Sequence, residues 1–170
     1  MAISMFQASV PVFQKMLGNL DHLIDKALAD AAARKFDPVV LLQARLAPDM
    51  FPLPRQVQIA ADFAKGTASR LAGVEVPKYE DNETTFEQLK ARVQKTRDYL
   101  AGFTASQIDG SEARAIHIKA GSYELNFKGQ DYLLTYALPN FYFHYSMVYA
   151  LLRHNGVPVG KVDFIAGRVA

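Results

Sequence analysis

One histidine, in a segment rich in aromatic residues, is the side chain of this sequence that most directly raises the question of a binding site or a metal site. His144 lies in the segment LPNFYFHYSMVYALLRHNGVP (138–158), which also contains Asn140. Residues four apart share one face of a helix, so the two side chains are expected to project together. His144 has three interpretations: a hydrogen-bonded core residue, a residue of a ligand pocket, or a metal ligand. Its apolar neighbours favour the core residue.

A metal site is not expected from the donors that the sequence offers. Transition-metal sites need three or four nitrogen, sulfur or carboxylate ligands in a fixed geometry. The chain has no cysteine, and His154 would lie about 15 Å from His144 along the helix axis. His22 and His117 are isolated and are expected at the surface. The sequence therefore predicts no metal and no cofactor.

The familiar catalytic and nucleotide-binding motifs are absent from the sequence. It contains no G-x-S-x-G, P-loop, G-x-G-x-x-G or H-E-x-x-H pattern. Asp49 precedes a proline-rich stretch, where a carboxylate commonly caps a helix. The sequence gives no catalytic residue, and it leaves open whether the protein is an enzyme.

Charge and hydropathy restrict the partners. The formal net charge is +2, with acidic and basic residues interspersed, so the basic stripe that nucleic acids require is missing. No run of about 18 apolar residues predicts a membrane span, and the N-terminus lacks a secretory leader. We expect a cytoplasmic protein that binds neither nucleic acid nor membrane, folded as one domain over residues 1–170.

Four long helical patterns must position these residues. The first has apolar residues at intervals of three and four, is interrupted by Pro11, and ends near Lys35. Its apolar stripe is Phe6, Val10, Phe13, Leu17, Leu20, Ile24, Ala27 and Ala31. The third pattern begins at Thr85 and Gln88, which have the spacing of a capping box.

The second long helix carries an alanine-rich face and a polar face. It is expected to begin at Pro54 and to end at Gly73. Its apolar stripe is Val57, Ala60, Ala61, Ala64, Ala68 and Leu71. A polar stripe beside it is expected to be the solvated face. That stripe consists of Gln58, Asp62, Lys65 and Ser69.

A change from a helical to an alternating period predicts a β-hairpin between the third and the last helix. The segments YELNF (123–127) and DYLLTY (131–136) are the expected strands, joined by a turn at 128–130. IHIK (116–119) is considered as a third strand. The last helix is expected from near Pro139 to Asn155.

Four helices with an irregular segment before the last resemble the DinB/YfiT-like superfamily. HYSMVYALLRHNGVP is similar to the end of its last helix, and PLPRQVQIAADFA resembles the start of its second helix. The stretches APDMFPL, GQDYLL and LPNFYFH resemble an uncharacterised bacterial branch, a domain of unknown function. The resemblance implies an all-α, up-down four-helix bundle with a small β-hairpin inserted between helices 3 and 4.

Many members of that superfamily hold a metal with three histidines, one on the second helix and two at i, i+4 on the fourth. The resemblance places His144 second in the pair, where the first position is Asn140, and the second-helix stretch IAAD (59–62) offers only Asp62. It implies a small-molecule-binding protein, or a degenerate relative of metal-dependent thiol transferases and isomerases whose metal site is lost. Asn140, His144 and Asp62 are the predicted ligand-binding residues.

Assembly is suggested by a stripe of tyrosines on the last helix, formed by Tyr142, Tyr145 and Tyr149. A helix that is apolar on two sides must be covered on both, by the hairpin or by a second copy of the chain, and tyrosine is common at interfaces. The sequence predicts a homodimer that uses at least part of this stripe. The alternative function is therefore a non-catalytic homodimeric structural or interaction protein.

Overall fold

The computed structural model describes residues 3–167, apart from the side chain of Ala120. The chain is mostly helical, with one small two-stranded antiparallel sheet. Its elements are α1 (Val10–Arg34), α2 (Val39–Leu42), α3 (Leu53–Ala72), α4 (Phe86–Ala101), α5 (Ala105–Ile108), β1 (Ala115–Ala120), β2 (Tyr123–Lys128), α6 (Gly129–Asp131), a π-helical segment (Tyr132–Ala137), α7 (Leu138–His154) and α8 (Lys161–Ala166).

The long helices surround the hydrophobic core. Helix α3 packs along both α4 and α7, and α1 packs along α4 and the short α8. The predicted apolar stripe of α1 is buried from Val10 to Ala31, with Phe6 packed against the core. Pro11 lies in the first turn of α1, where a missing N–H costs nothing. The helix ends at Lys35, which adopts the left-handed conformation (φ 58°).

Helix α3 follows its prediction at both ends and on its apolar face. Pro54 lies in the first turn, and Gly73 ends the helix in the left-handed conformation. The predicted stripe from Val57 to Leu71 is fully buried. The prediction that the polar stripe is solvated is wrong, because residues 74–85 and helix α4 cover that face. The covering contacts are Gln58 to Glu83, Asp62 to Arg92, Lys65 to the Tyr79 ring, and Ser69 to Tyr99.

Helix α4 begins at the predicted capping box. The Thr85 side chain accepts from the Gln88 N–H, and the Gln88 side chain accepts from the Thr85 N–H. Phe86, Leu89, Val93 and Leu100 form its buried apolar face.

The hairpin forms from β1 and β2, so IHIK (116–119) is the partner of YELNF (123–127). The prediction that 131–136 is a strand is wrong, since this segment is helical. Its buried residues Tyr132, Leu133 and Ala137 have helical spacing, which short apolar runs share with strands. The chain reverses instead at Gly121, which has φ 62°.

Helix α7 buries a face that includes one tyrosine of the stripe. Phe141, Tyr145, Val148, Leu151 and Leu152 are buried, whereas Asn140, His144 and Met147 are only partly buried. The Tyr145 hydroxyl donates to the Phe164 carbonyl at 2.6 Å. Helix α8, which the sequence did not predict, therefore covers Tyr145, and this tyrosine cannot contribute to a dimer surface. Tyr142 and Tyr149 remain partly exposed.

Candidate functional site

His144 is held by a relay of two hydrogen bonds that begins at the backbone. The Gln56 Nε2 donates to the Phe51 carbonyl at 3.1 Å, and Gln56 Oε1 lies 2.7 Å from His144 Nδ1. Because the carbonyl fixes the orientation of the amide, Oε1 is the acceptor and Nδ1 must carry the proton. The Nε2 of a neutral His144 then offers a lone pair. None of the residues from 3 to 167 binds this nitrogen.

Two effects keep His144 neutral. Burial and the nearby positive charge of Arg55 lower the pKa of His144 from 6.5 to about 4. The imidazole stacks at an offset on Phe63, with ring centroids 6.3 Å apart, and meets the edge of the exposed Phe143. His144 is thus neither a fully packed core residue nor an exposed one. At neutral pH it is a hydrogen-bond acceptor of fixed tautomer.

Asn140 and Asp62 take other partners. The Asn140 Nδ2 donates to the Tyr136 carbonyl at 2.7 Å, one turn earlier. Asp62 Oδ1 lies 2.8 Å from Lys65 Nζ and 2.9 Å from an Arg92 terminal nitrogen. The three residues predicted as a ligand site are therefore not joined to one another by a direct bond.

A row of aromatic rings in contact with one another begins at His144 and runs past the residues next to Asp62 and Asn140. The row continues from His144 to Phe63, then to Tyr136 with ring centroids 5.8 Å apart, and on to Phe127 at 5.2 Å. A cavity of about 190 Å³ opens along the row between α3, the π-helical segment and β1. We call it the aromatic cavity; it is lined by Asp62, Phe63, Arg70, Ile118, Lys119 and Tyr136.

Each of the three predicted site residues either lines the aromatic cavity or contacts a residue that lines it. Asp62 lines it directly, Asn140 bonds the backbone of its lining residue Tyr136, and His144 packs on the ring of Phe63. Sequence reasoning missed the remaining lining residues. Ile118 and Lys119 come from a strand distant in sequence, and only the fold places them beside α3.

Arg70 is the most strongly positioned cation of the aromatic cavity. One of its terminal nitrogens donates to the Tyr132 hydroxyl at 3.2 Å, and its guanidinium lies 5.9 Å from the Tyr132 ring centroid. The side chain folds back over Gly66, since a β-carbon added there would lie 2.5 Å from an Arg70 nitrogen. Glycine in the middle of α3 thus leaves room for the guanidinium. Glycine costs a helix about 1 kcal/mol relative to alanine, so this room has an energetic cost.

The three-histidine metal site of the superfamily does not fit this chain. His144 meets the Gln56 amide and the Phe63 ring, Asn140 turns its amide nitrogen to a carbonyl, and Asp62 is paired with two cations. Among the residues that the structure describes, no three histidine, aspartate or glutamate side chains are grouped to hold a metal ion. Carboxamide and lone imidazole donors are also poor ligands for zinc or nickel.

The other histidines have structural partners or lie at the surface. His22 was expected to be an isolated surface residue, but it is partly buried and its Nε2 lies 2.9 Å from Asp163 of α8. The prediction was wrong because it did not anticipate that α8 packs on α1. His117 is exposed, as expected, and His154 is exposed as well.

Asp62 also belongs to a polar cluster centred on Arg92. Arg92 is buried and binds Asp62, Asp81 and Glu83, each at 2.9 Å. Its guanidinium also donates to a backbone carbonyl, that of Glu80. These contacts fasten the segment 74–85 to α4, and we assign the cluster a structural role.

None of the helices between residues 3 and 167 is both long and apolar enough to cross a membrane.

Comparison with known proteins relates this site to a family. A family model described as a domain of unknown function (DUF1993) matches residues 5–165. A crystal structure of a DinB family member protein from Shewanella denitrificans is 40% identical in sequence, with a TM-score of 0.86, and the match covers 97% of this chain and 93% of that chain. None of the curated proteins matches this chain.

Proposed function

The chain belongs to the DUF1993 family, and we propose that it is a small-molecule-binding protein whose ligand occupies the aromatic cavity. The cavity itself supports this proposal, because aromatic walls and a few positioned polar groups are what small-molecule sites share. Its volume of about 190 Å³ lies below the range typical of drug-sized ligands. The ligand is therefore a small one.

In this proposal Asn140 and His144 are positioning residues. Asn140 holds the backbone of Tyr136, and His144 stacks on the ring of Phe63, so each contacts a residue that lines the cavity. The metal site of the metal-dependent relatives is lost, which the poor donor set of Asn140, His144 and Asp62 supports. In the same proposal the chain folds as one up-down helical bundle domain over residues 1–170. We assign no reaction to it.

Fragment binding followed by amide NMR tests the proposal. We expect some small aromatic fragments to shift the amide resonances of residues 62–70, 118–119 and 136. Phe63→Leu keeps an apolar side chain but removes the ring, and it should weaken such fragments at least about tenfold, since a lost stacking contact and an altered wall both act. Phe103→Leu is the matched control, because Phe103 is also half-buried and packs edge-on against Tyr99, away from the cavity.

The proposal fails if a diverse fragment library shifts none of these resonances. It also fails if the fragments that bind are equally weakened by Phe63→Leu and Phe103→Leu.

A second candidate function, a homodimeric interaction protein, is favoured by two exposed phenylalanines near His144. Phe143 is 54% exposed and contacts the His144 ring, and Phe51 is 52% exposed and its carbonyl binds Gln56. Exposed aromatic side chains are enriched in interfaces. Sedimentation at tens of micromolar, for the native chain and for Phe143→Ser, separates this candidate from a monomeric binding protein.

A further inference from the structure

The size of the aromatic cavity suits a ligand of about one ring. An apolar protein cavity of about 150 Å³ can hold one benzene molecule. The aromatic cavity measures about 190 Å³, so it can take a ring with one small substituent. Phe63 and Tyr136 are tilted by 59° relative to one another, and together they offer a face and an edge to a planar molecule.

The charges around the aromatic cavity favour a negative substituent. Arg70 and Lys119 line it, while its one acidic residue, Asp62, already pairs with Lys65 and Arg92. Glu124 stands opposite Lys119 in the hairpin register. No ion pair between those two is found in the described part of the chain. The cavity therefore has an excess of positive charge at its wall.

Arg70 has donors to spare for an anion. A guanidinium carries five N–H donors in a planar fork that matches a carboxylate. Within residues 3–167 the only bond of its side chain is the one to the Tyr132 hydroxyl, and that bond together with the Tyr132 ring fixes the plane of the fork. A preorganised guanidinium loses less conformational entropy when it binds, which strengthens binding.

We propose that the ligand of the aromatic cavity is a small aromatic monocarboxylate, with its ring between Phe63, Tyr136 and Ile118 and its carboxylate on Arg70, assisted by Lys119. This inference rests on the proposed function, because it names the ligand class of the same cavity. It does not involve a metal ion or a covalent step.

Three one-ring probes test the charge requirement: benzoate, the neutral benzamide and the cationic benzylamine. Binding is followed by the amide resonances of residues 62–70 and 118–119. We expect benzoate to bind at least about tenfold more tightly than benzamide, because a charged hydrogen bond is roughly twice as strong as a neutral one. Benzylamine should not bind in the cavity. The affinity for benzoate should fall as salt is added, since Lys119 is exposed and its contribution is screened.

Two variants test the role of Arg70. Arg70→Gln should lower the affinity for benzoate at least about tenfold while affecting benzamide little, and Arg153→Gln, at an exposed arginine of α7, is the control. Gly66→Ala leaves every charge in place but displaces the guanidinium, because its β-carbon would lie 2.5 Å from an Arg70 nitrogen. This variant should also weaken benzoate binding, although alanine favours the helix, so a folding defect cannot account for the loss.

The outcomes distinguish a failure of the proposed ligand class from a failure of the proposed binding site. If benzamide or benzylamine binds in the cavity as tightly as benzoate, or if Arg70→Gln leaves the affinity for benzoate unchanged, the carboxylate proposal is overturned. If none of the three probes binds but other fragments of the library shift the cavity resonances, this inference fails and the proposed function stands. If nothing at all binds in the cavity, both fail.

Discussion

At the scale of single residues, the partners of a histidine decide what it can do. The backbone carbonyl of Phe51 orients Gln56, Gln56 fixes the proton on His144 Nδ1, and burial with Arg55 keeps the ring neutral. The sequence singled out His144, because this histidine lies between Phe143 and Tyr145 in a strongly apolar helical segment. It could not indicate the tautomer, since Gln56 lies 88 residues earlier.

The lowered pKa of His144 predicts a specific dependence of stability on pH. The unfolded chain binds a proton here near pH 6.5, but the folded protein does so only near about pH 4. The contribution to stability is therefore complete above about pH 6.5 and is lost progressively as the pH falls toward about 4. Allowing for the partial exposure of the ring, we expect a loss of about 1–2 kcal/mol in the free energy of unfolding.

Urea unfolding at about pH 7 and about pH 4.5 measures this effect. Since other groups also titrate, the comparison is with His144→Phe, which should lose less stability over the same interval than the native chain. His117→Phe, at an exposed histidine on β1, should keep the native dependence. Equal pH dependence for the native chain and His144→Phe would show that the imidazole is not held neutral by the fold.

At the scale of elements, residues 74–85 form a long connection without regular structure that is fastened by side chains. Arg92 is 3% exposed, binds three carboxylates, and has a buried Nε with no partner among the described residues. The ring of Tyr79 adds contacts with the Lys65 and Lys95 ammonium groups, at 4.6 Å and 4.2 Å from its centroid. The connection thus covers the polar face of α3.

Arg92→Met should release this connection. Removing one partner of a buried charge cluster typically costs about 3–5 kcal/mol, and since Asp62 and Asp81 are themselves 36% and 37% exposed, we expect about 3 kcal/mol in the free energy of unfolding. Amide hydrogen exchange in residues 74–85 should accelerate at the same time. Both are measurable on the same sample.

Lys90→Met provides the control within the same helix. Lys90 also pairs with two carboxylates, Asp21 and Asp25, but it is 31% exposed, so its loss should cost less than about 1 kcal/mol. If Arg92→Met costs no more than Lys90→Met, the cluster does not fasten the connection.

The elements that the sequence predicted correctly are those with local causes. The apolar spacing of α1, the capping box of α4 and the glycine at the end of α3 each depend on residues close together in the chain. The polar stripe of α3 was misjudged because its burial depends on a connection that comes later in the chain. The segment 131–136 was misjudged because its short apolar run fits a helix as well as a strand.

At the scale of the whole molecule, the C-terminal part determines which face of α7 is buried. Helix α8 is fixed to α1 by Asn19, which donates to the carbonyls of Phe164 and Ile165, and by the pairing of Asp163 with His22 and Lys26. It buries Tyr145, whereas His144 contacts Gln56 and Phe63 of α3. The face of α7 could not be predicted because both of its sides are apolar in sequence.

The contacts of α7 also bear on metal binding. With Asn140 directed at a backbone carbonyl and Phe63 packed on His144, the chain offers one imidazole where a catalytic site needs three protein ligands. We predict that the protein, purified without a histidine tag and desalted after exposure to zinc and nickel, holds well below one equivalent of either. Asn140→His restores the i, i+4 pair on α7 and should bind measurably more zinc under the same conditions, which shows that the assay can detect a site. Elemental analysis that finds close to one equivalent in the native chain, lost in His144→Ala but retained in His117→Ala, would contradict the prediction and restore the metal-dependent interpretation.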